Sequence, residues 1–371
     1  MSERDNNFDA LRLVAATAVV FSHSFLIVDG SEAHEPLIWL TGRQCILGLC
    51  GVFVFFAISG FLVTASFERT ASPLDYLAKR ALRIFPGLFA ALVVSAFAFG
   101  AVVTTLPLAE YYVRPEIYGY IVGNTLLNLT VHALPGTLFV DNPVGLEVNG
   151  SLWTLRYEFM MYLMVLALGM LRLLRLPILL LVLAIGLAAL KWDVFDFLDS
   201  FGFLLAFFAI GMVLYKLRFT PVFDGRIALL ALLGLGASIP LRQFIPLFPL
   251  FGGYLAIYLA TNRRFPVLRV TRFGDLSYGL YIYGWPVQAM VIHAMGGKAA
   301  WWQLFLISLP LTLLAAWLSW HLVEKHFLRL KPGRARPLLL AVPERSAMAT
   351  PWPLRFPSAA ISRSSTAPLR R

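Results

Sequence analysis

Residues 46–66 read ILGLCGVFVFFAISGFLVTAS, a run without one charged side chain. A helix needs about 20 mostly apolar residues to cross the hydrocarbon core of a bilayer. The run therefore reads as a membrane helix. Comparable blocks recur at 9–28, 84–106, 151–171, 174–190, 199–217, 226–241, 246–262, 276–296 and 303–323. Together they predict an all-α, polytopic membrane bundle of about ten transmembrane helices. Composition agrees, with 59% of residues hydrophobic and 14% charged. A soluble protein is nearer half apolar and about a quarter charged. Too little polar surface remains to cover a water-exposed sphere.

The net charge of +11 would raise nucleic acid as a partner for a soluble chain. Here the cations lie between apolar blocks, and no base-stacking motif accompanies them. Nucleic acid is therefore not expected, and membrane topology accounts for the charge. With the N-terminus inside, the inner connections carry thirteen Lys and Arg. The outer ones carry five: Arg43, Arg114, Lys191, Arg242 and Lys298. Both termini are expected to be cytoplasmic. The first block carries Arg12 and His23 with no small-residue cleavage site after it, so it reads as a retained signal anchor.

Residues 1–331 form the expected membrane domain. The segment 107–150 is its longest outer connection, with Tyr111, Tyr112, Tyr118, Tyr120, His132 and Asp141. A helix lying along the surface is expected at 117–134. Residues 332–371 are rich in Pro, Ser, Ala and Arg and read as a disordered, basic cytoplasmic tail. Cys45 and Cys50 show no metal-site spacing and read as small buried apolar residues. No metal site is expected.

Arg12 and His23 are eleven residues apart, which returns them to nearly one helical face about 16 Å apart. Ionisable groups at membrane depth usually face a bundle interior or a watery cavity. The plainer reading has Arg12 snorkelling and His23 bonding a neighbouring helix. Arg80 and Arg83, at i and i+3, share a face if the third helix starts there. They read either as ordinary inner-surface charge or as a grip on phosphate oxygens. Asn149 or Ser151 is placed to cap the fourth helix. Glu158 follows two turns in and reads alone as an ion-paired acid, with Arg156 or another helix as partner. Tyr278, Tyr281 and Trp285 fall on one stripe, as interfacial anchors or as a pocket wall. Glu324 is expected to pair with basic groups at the inner surface.

These stretches in order resemble the acyltransferase-3 family of membrane proteins, which includes O-antigen, exopolysaccharide and Nod-factor acyltransferases. The matching features are Arg12 with His23, Arg80 with Arg83, Phe55–Leu62, Asn149–Glu158 and Ser277–Pro286. The resemblance spans residues 8 to about 327. It implies a bacterial inner-membrane enzyme with acetyl-CoA or another acyl-CoA as cytoplasmic donor, and no permanently bound cofactor. The implied acceptor is a hydroxyl of a carbohydrate or lipid-linked glycan. In that reading His23, Arg12 and Glu158 are catalytic, His23 as general base or acyl carrier. Arg80 and Arg83 hold the CoA, and Tyr278, Tyr281, Trp285, Asn149 and Trp153 meet the acceptor. A transporter or flippase of a lipid-linked sugar is the other class, though no inverted repeat or paired broken helix supports it.

Overall fold

The computed structural model describes residues 6–128, 133–136, 147–190, 197–262 and 264–332. The tail from 333 onward, His132 and Asp141 lie outside the described residues. Among the described residues the fold is all-helical. Each of the ten apolar stretches is a helix: α1 Phe8–Asp29, α2 Leu47–Glu68, α3 Pro73–Val103, α4 Trp153–Met170 and α5 Leu176–Ala189, then α6 Phe197–Lys216, α7 Gly225–Ser238, α8 Phe244–Thr261, α9 Leu276–Ala294 and α10 Trp301–Arg329.

Five of them (α1, α2, α3, α8 and α10) are long and apolar enough to cross a membrane by length and composition. The expected count of about ten spans is not reached on that measure. α5 and α7 have 14 residues each, and α4 carries Arg156 and Glu158. α9 is mixed in character, with Ser277 and Gln288 buried among its aromatic residues.

The third helix begins at Pro73, not at 84. Ser72 caps it, its hydroxyl accepting from the Asp75 amide at 3.1 Å, and Pro73 presets the first turn. Lys79, Arg80 and Arg83 are therefore inside the helix rather than ahead of it. α3 also contains a π turn, Ser95–Phe99. Its Ala96 and Phe97 carbonyls accept hydroxyl hydrogens from Tyr111 at 2.6 Å and Tyr112 at 3.1 Å. The expected surface helix is Pro115–Thr125, with Ile117, Tyr120, Ile121 and Asn124 buried. It packs onto the bundle rather than lying free on it.

Small residues set the helix spacing, as expected where lipid supplies no hydrophobic drive between helices. A Cβ on Gly60 would sit 1.9 Å from the Phe208 carbonyl oxygen, and one on Gly211 2.0 Å from that of Ala57. Glycine alone lets α2 and α6 meet backbone to backbone. Asn7 ties the start of α1 to the α8–α9 connection: its amide nitrogen donates to Pro266 O at 3.2 Å, and its carbonyl oxygen accepts from Leu268 N at 2.8 Å. The end of the bundle where α1 begins is called the near end below, and the opposite end the far end.

Candidate active site

α1, α2, α3, α4 and α9 line a partly open pocket with about 570 Å³ of empty space, open solvent included. Its polar wall is Arg12, Arg83, Thr154, Glu158, Tyr162, Ser277, Tyr278 and Tyr281, and Val52, Phe55, Phe56, Ile84 and Leu155 complete it. A smaller pocket with about 200 Å³ of such space, walled in part by Asp9, Thr271 and Asp275, shares Ser277 with it at the near end.

Five residues singled out in the sequence therefore meet in one chamber: Arg12, Arg83, Glu158, Tyr278 and Tyr281. Glu158 is held by hydroxyls. It accepts from Ser59 Oγ at 2.9 Å and from the Tyr162 hydroxyl one turn along. Tyr281 OH and Thr154 Oγ1 are 2.6 Å apart, and Tyr278 OH donates to Ile84 O at 2.7 Å.

The two arginines of α3 splay apart. Arg83 donates to Asp275 Oδ2 at 2.7 Å and lies over the Tyr278 ring, 5.8 Å from its centre. Arg80 turns toward α4, donating to Ser66 Oγ at 3.3 Å and lying 5.7 Å from the Tyr162 ring centre. Arg12 Nε and Arg80 Nε are buried without a hydrogen-bond partner. An unmet buried donor costs about 1–3 kcal/mol, and each of these nitrogens keeps a hydrogen to give. Positive charge dominates the near end. Burial, with Arg83 and Arg80 nearby, pushes the Lys331 amine down to about 8. Burial opposes ionisation of Asp275, but Arg83, Arg12 and the Ser277 hydroxyl hold its carboxyl below the usual range.

Glu324 is not at a surface. The π turn Trp320–Glu324 rotates it inward, where it is 3% exposed and accepts from Ser319 Oγ at 2.9 Å. A Cβ on Gly87 would press on both Tyr278 and Glu324.

His23 does not line the chamber. Its ring packs edge-on against Trp285, 4.8 Å between centres, one helical turn beyond Tyr281. Trp285 Nε1 donates to Glu147 O at 3.1 Å, and its ring covers Gly150. Asn149 does not cap α4. Its Nδ2 donates to Ile282 O at 2.9 Å while its Oδ1 accepts from Ser151 N at 3.1 Å. The turn is thereby braced against α9, and α4 starts after Leu152 with no side-chain cap. Trp153 is 40% exposed and outside the chamber, since Thr154, Glu158 and Tyr162 hold the inward face of α4. Tyr111 and Tyr120, of the long connection between α3 and α4, are buried in the fold.

The backbone around His23 is clamped from both sides. Ser22 Oγ donates to Glu35 Oε1 at 3.3 Å and accepts from Gly48 N at 2.6 Å. Glu35 is fully buried and also accepts from Leu47 N and Ile38 N. On the other side, Gln288 Nε2 donates to Ser24 Oγ at 2.7 Å and to Val20 O at 2.9 Å. Sequence reasoning missed Asp275, Tyr162, Ser59, Gln288 and Glu35. Tyr162 sits at i+4 from Glu158, and Glu35 precedes Pro36 as a helix cap does. Those two signals were readable. Ser59 lies within the Phe55–Leu62 stretch but nothing there marks it as a partner of Glu158, and Gln288 carries no signal.

A polar chamber inside an apolar helical bundle marks a multi-pass membrane protein. The family model described as an acyltransferase domain matches residues 5–321, and the chain belongs to that acyltransferase-3 family. It is therefore an acyltransferase. It is 30% identical over 343 residues to an O-acetyl transferase of Shigella phage Sf6, covering 88% of this chain and 96% of the relative. It is 30% identical over 370 residues to nodulation protein 10 of Rhizobium leguminosarum bv. viciae, covering 88% and 94%. It is 29% identical over 337 residues to the exopolysaccharide production protein ExoZ of Rhizobium meliloti (strain 1021), covering 83% and 97%. No solved structure matches it.

Proposed function

We propose that this chain moves an acyl group, most simply acetyl, from a cytoplasmic acyl-CoA to a carbohydrate or lipid-linked glycan hydroxyl at the bacterial inner membrane. In this reading about ten helices span the bilayer, both termini are cytoplasmic, and the near end faces the cytoplasm. The excess of Lys and Arg in the near-end connections supports that orientation. The relatives' names support acetyl as the group and a surface or secreted glycan as the acceptor. One observation carries the site assignment: Arg12, Arg83, Glu158, Tyr278 and Tyr281, from four helices, meet in one chamber beside a cationic near end.

Arg80, Arg83 and Arg12 bind the anionic donor and draw its thioester into the chamber. The acceptor enters from the far end, against Trp285, Asn149, Tyr281 and Tyr278. The acceptor displaces the packing between Trp285 and Tyr281 so that its hydroxyl lies between the chamber and the His23 ring, which is one turn beyond the chamber wall, and His23 takes the hydroxyl proton as general base. The oxygen attacks the thioester carbonyl, the C–S bond breaks, and the CoA thiolate recovers the proton from the imidazolium. Glu158, fixed by Ser59 and Tyr162, orients the reacting groups and balances the guanidinium charge.

The test is purified protein in lipid with radiolabelled acetyl-CoA and a glycan extract. Wild type is expected to yield labelled glycan and His23→Ala none, with the variant still folded and inserted. Full activity in His23→Ala removes His23 from the chemistry. Sugar translocation without any label transfer favours a flippase.

A further inference from the structure

Cys45 lies in the far-end turn that leads into α2, and Cys50 lies in the first turn of α2 itself. Both are buried, at 2% and 8% exposed, and their sulfurs are 3.4 Å apart. The turn that carries Cys45 is fixed on every side. Thr41 Oγ1 donates to Cys45 O at 3.0 Å and accepts from Cys45 N at 3.1 Å. Gln44 Nε2 donates to Ile239 O at 2.9 Å, and Gln44 Oε1 accepts from Phe244 N at 2.9 Å. Gly42 and Arg43 hold the left-handed conformation in succession, at φ +64° and +66°. The thiols thus meet because the backbone brings them together, not because mobile side chains drift into contact.

We propose that Cys45 and Cys50 are a modification site, joined by a disulfide in the mature protein. The inference rests on the orientation proposed above, in which the far end faces the oxidising outer compartment. Formation breaks two S–H bonds and makes one S–S bond. The two protons and two electrons pass to the disulfide of an extracytoplasmic thiol oxidoreductase, whose S–S bond breaks to give a dithiol. The sulfurs close from 3.4 Å to the bonded distance of about 2.05 Å. The reduced pair is also a satisfied arrangement, since Cys45 Sγ lies 3.4 Å from Ile46 O, so chemistry must decide between them.

The location gives the bond a purpose. Cys45 and Cys50 bracket Leu47 and Gly48, whose amides hold Glu35 and Ser22, and Ser22 adjoins His23. A covalent staple there stiffens one half of the clamp around the imidazole.

The full-length protein is purified from membranes without reductant, denatured in detergent with N-ethylmaleimide, and its intact mass measured. The expected result is no adduct without reductant and two adducts after reduction. Two adducts without prior reduction overturn the proposal. In a Cys45→Ser, Cys50→Ser background, an exposed far-end residue is replaced, Lys298→Cys, and spheroplasts are treated with a membrane-impermeant maleimide. Labelling from outside upholds the orientation, so that free native thiols then count against the disulfide alone. Absence of that label, with labelling after lysis, overturns the orientation and this inference with it.

Discussion

Removing the Asp275 carboxylate tests whether the near-end ion pair is a structural unit. Arg83 and Asp275 are bonded at 2.7 Å, with their side chains 16% and 17% exposed. Taking one partner from a fully buried pair costs about 3–5 kcal/mol, because the other charge is left uncompensated. The residual exposure lets water screen part of that, so Asp275→Ala is expected to cost about 2–3 kcal/mol. At roughly 2–4 °C per kcal/mol, the apparent Tm in detergent falls by about 4–12 °C. Asp275→Asn keeps a partner for the Ser277 hydroxyl and falls less. The double variant Arg83→Met, Asp275→Leu is expected to lose less than the sum of its parts, by about 1–3 kcal/mol. The pH dependence has a fixed sign. Asp275 is held below its ordinary range, so its contribution is complete above the unfolded value of about 3.9 and fades as pH falls through the folded value. The Tm gap between wild type and Asp275→Ala should be constant from about pH 5 to 8 and narrow below about pH 4. Strict additivity of the two single variants, or a gap that widens in acid, refutes the reasoning.

Gly60→Ala places a methyl group against a backbone oxygen of α6 and should lower the Tm by more than any surface change, with loss of about 3 kcal/mol or more. Thermal unfolding reads it, and a wild-type Tm refutes the close approach of α2 and α6. Glu35→Ala strands the Leu47 and Ile38 amides, and a cost of about 2–4 kcal/mol is expected in the same assay, with Glu35→Gln recovering part of it. Tyr162→Phe removes one hydroxyl from Glu158. It should cut acyl transfer by about tenfold, equivalent to roughly 1.4 kcal/mol, at unchanged expression. Trp153→Ala, on the open face of α4, should leave the transfer rate within about twofold, and a large loss would place the indole in the acceptor path.

The ten helices were legible because each carries a long, mostly apolar run, and such runs survive any detail of packing. The start of α3 was hidden by Lys79, Arg80 and Arg83, whose charges read as a connection. The capping pair Ser72 and Pro73 carried the true signal. Arg12, Arg83, Glu158, Tyr278 and Tyr281 were legible as ionisable or aromatic groups out of place in lipid. Their convergence was not, since it depends on which helices touch. Asp275 looked like one acid in a basic connection, and only the fold sets it against Arg83. The two π turns have no compositional mark, so the inward swing of Glu324 and the use of Tyr111 and Tyr112 as carbonyl partners could not be read in advance.

α5 and α7 carry a consequence for the surrounding lipid. Each has 14 residues and so rises only about 21 Å, against a hydrocarbon thickness of about 30 Å. Leu229, Leu230, Leu232 and Leu233 of α7 are more than half exposed, so acyl chains rather than protein must meet this shortfall. On the proposed ten-span arrangement the bilayer is pinched along that flank. Headgroups and water there would dip toward the midplane, which shortens the approach for a lipid-linked acceptor of the kind proposed above.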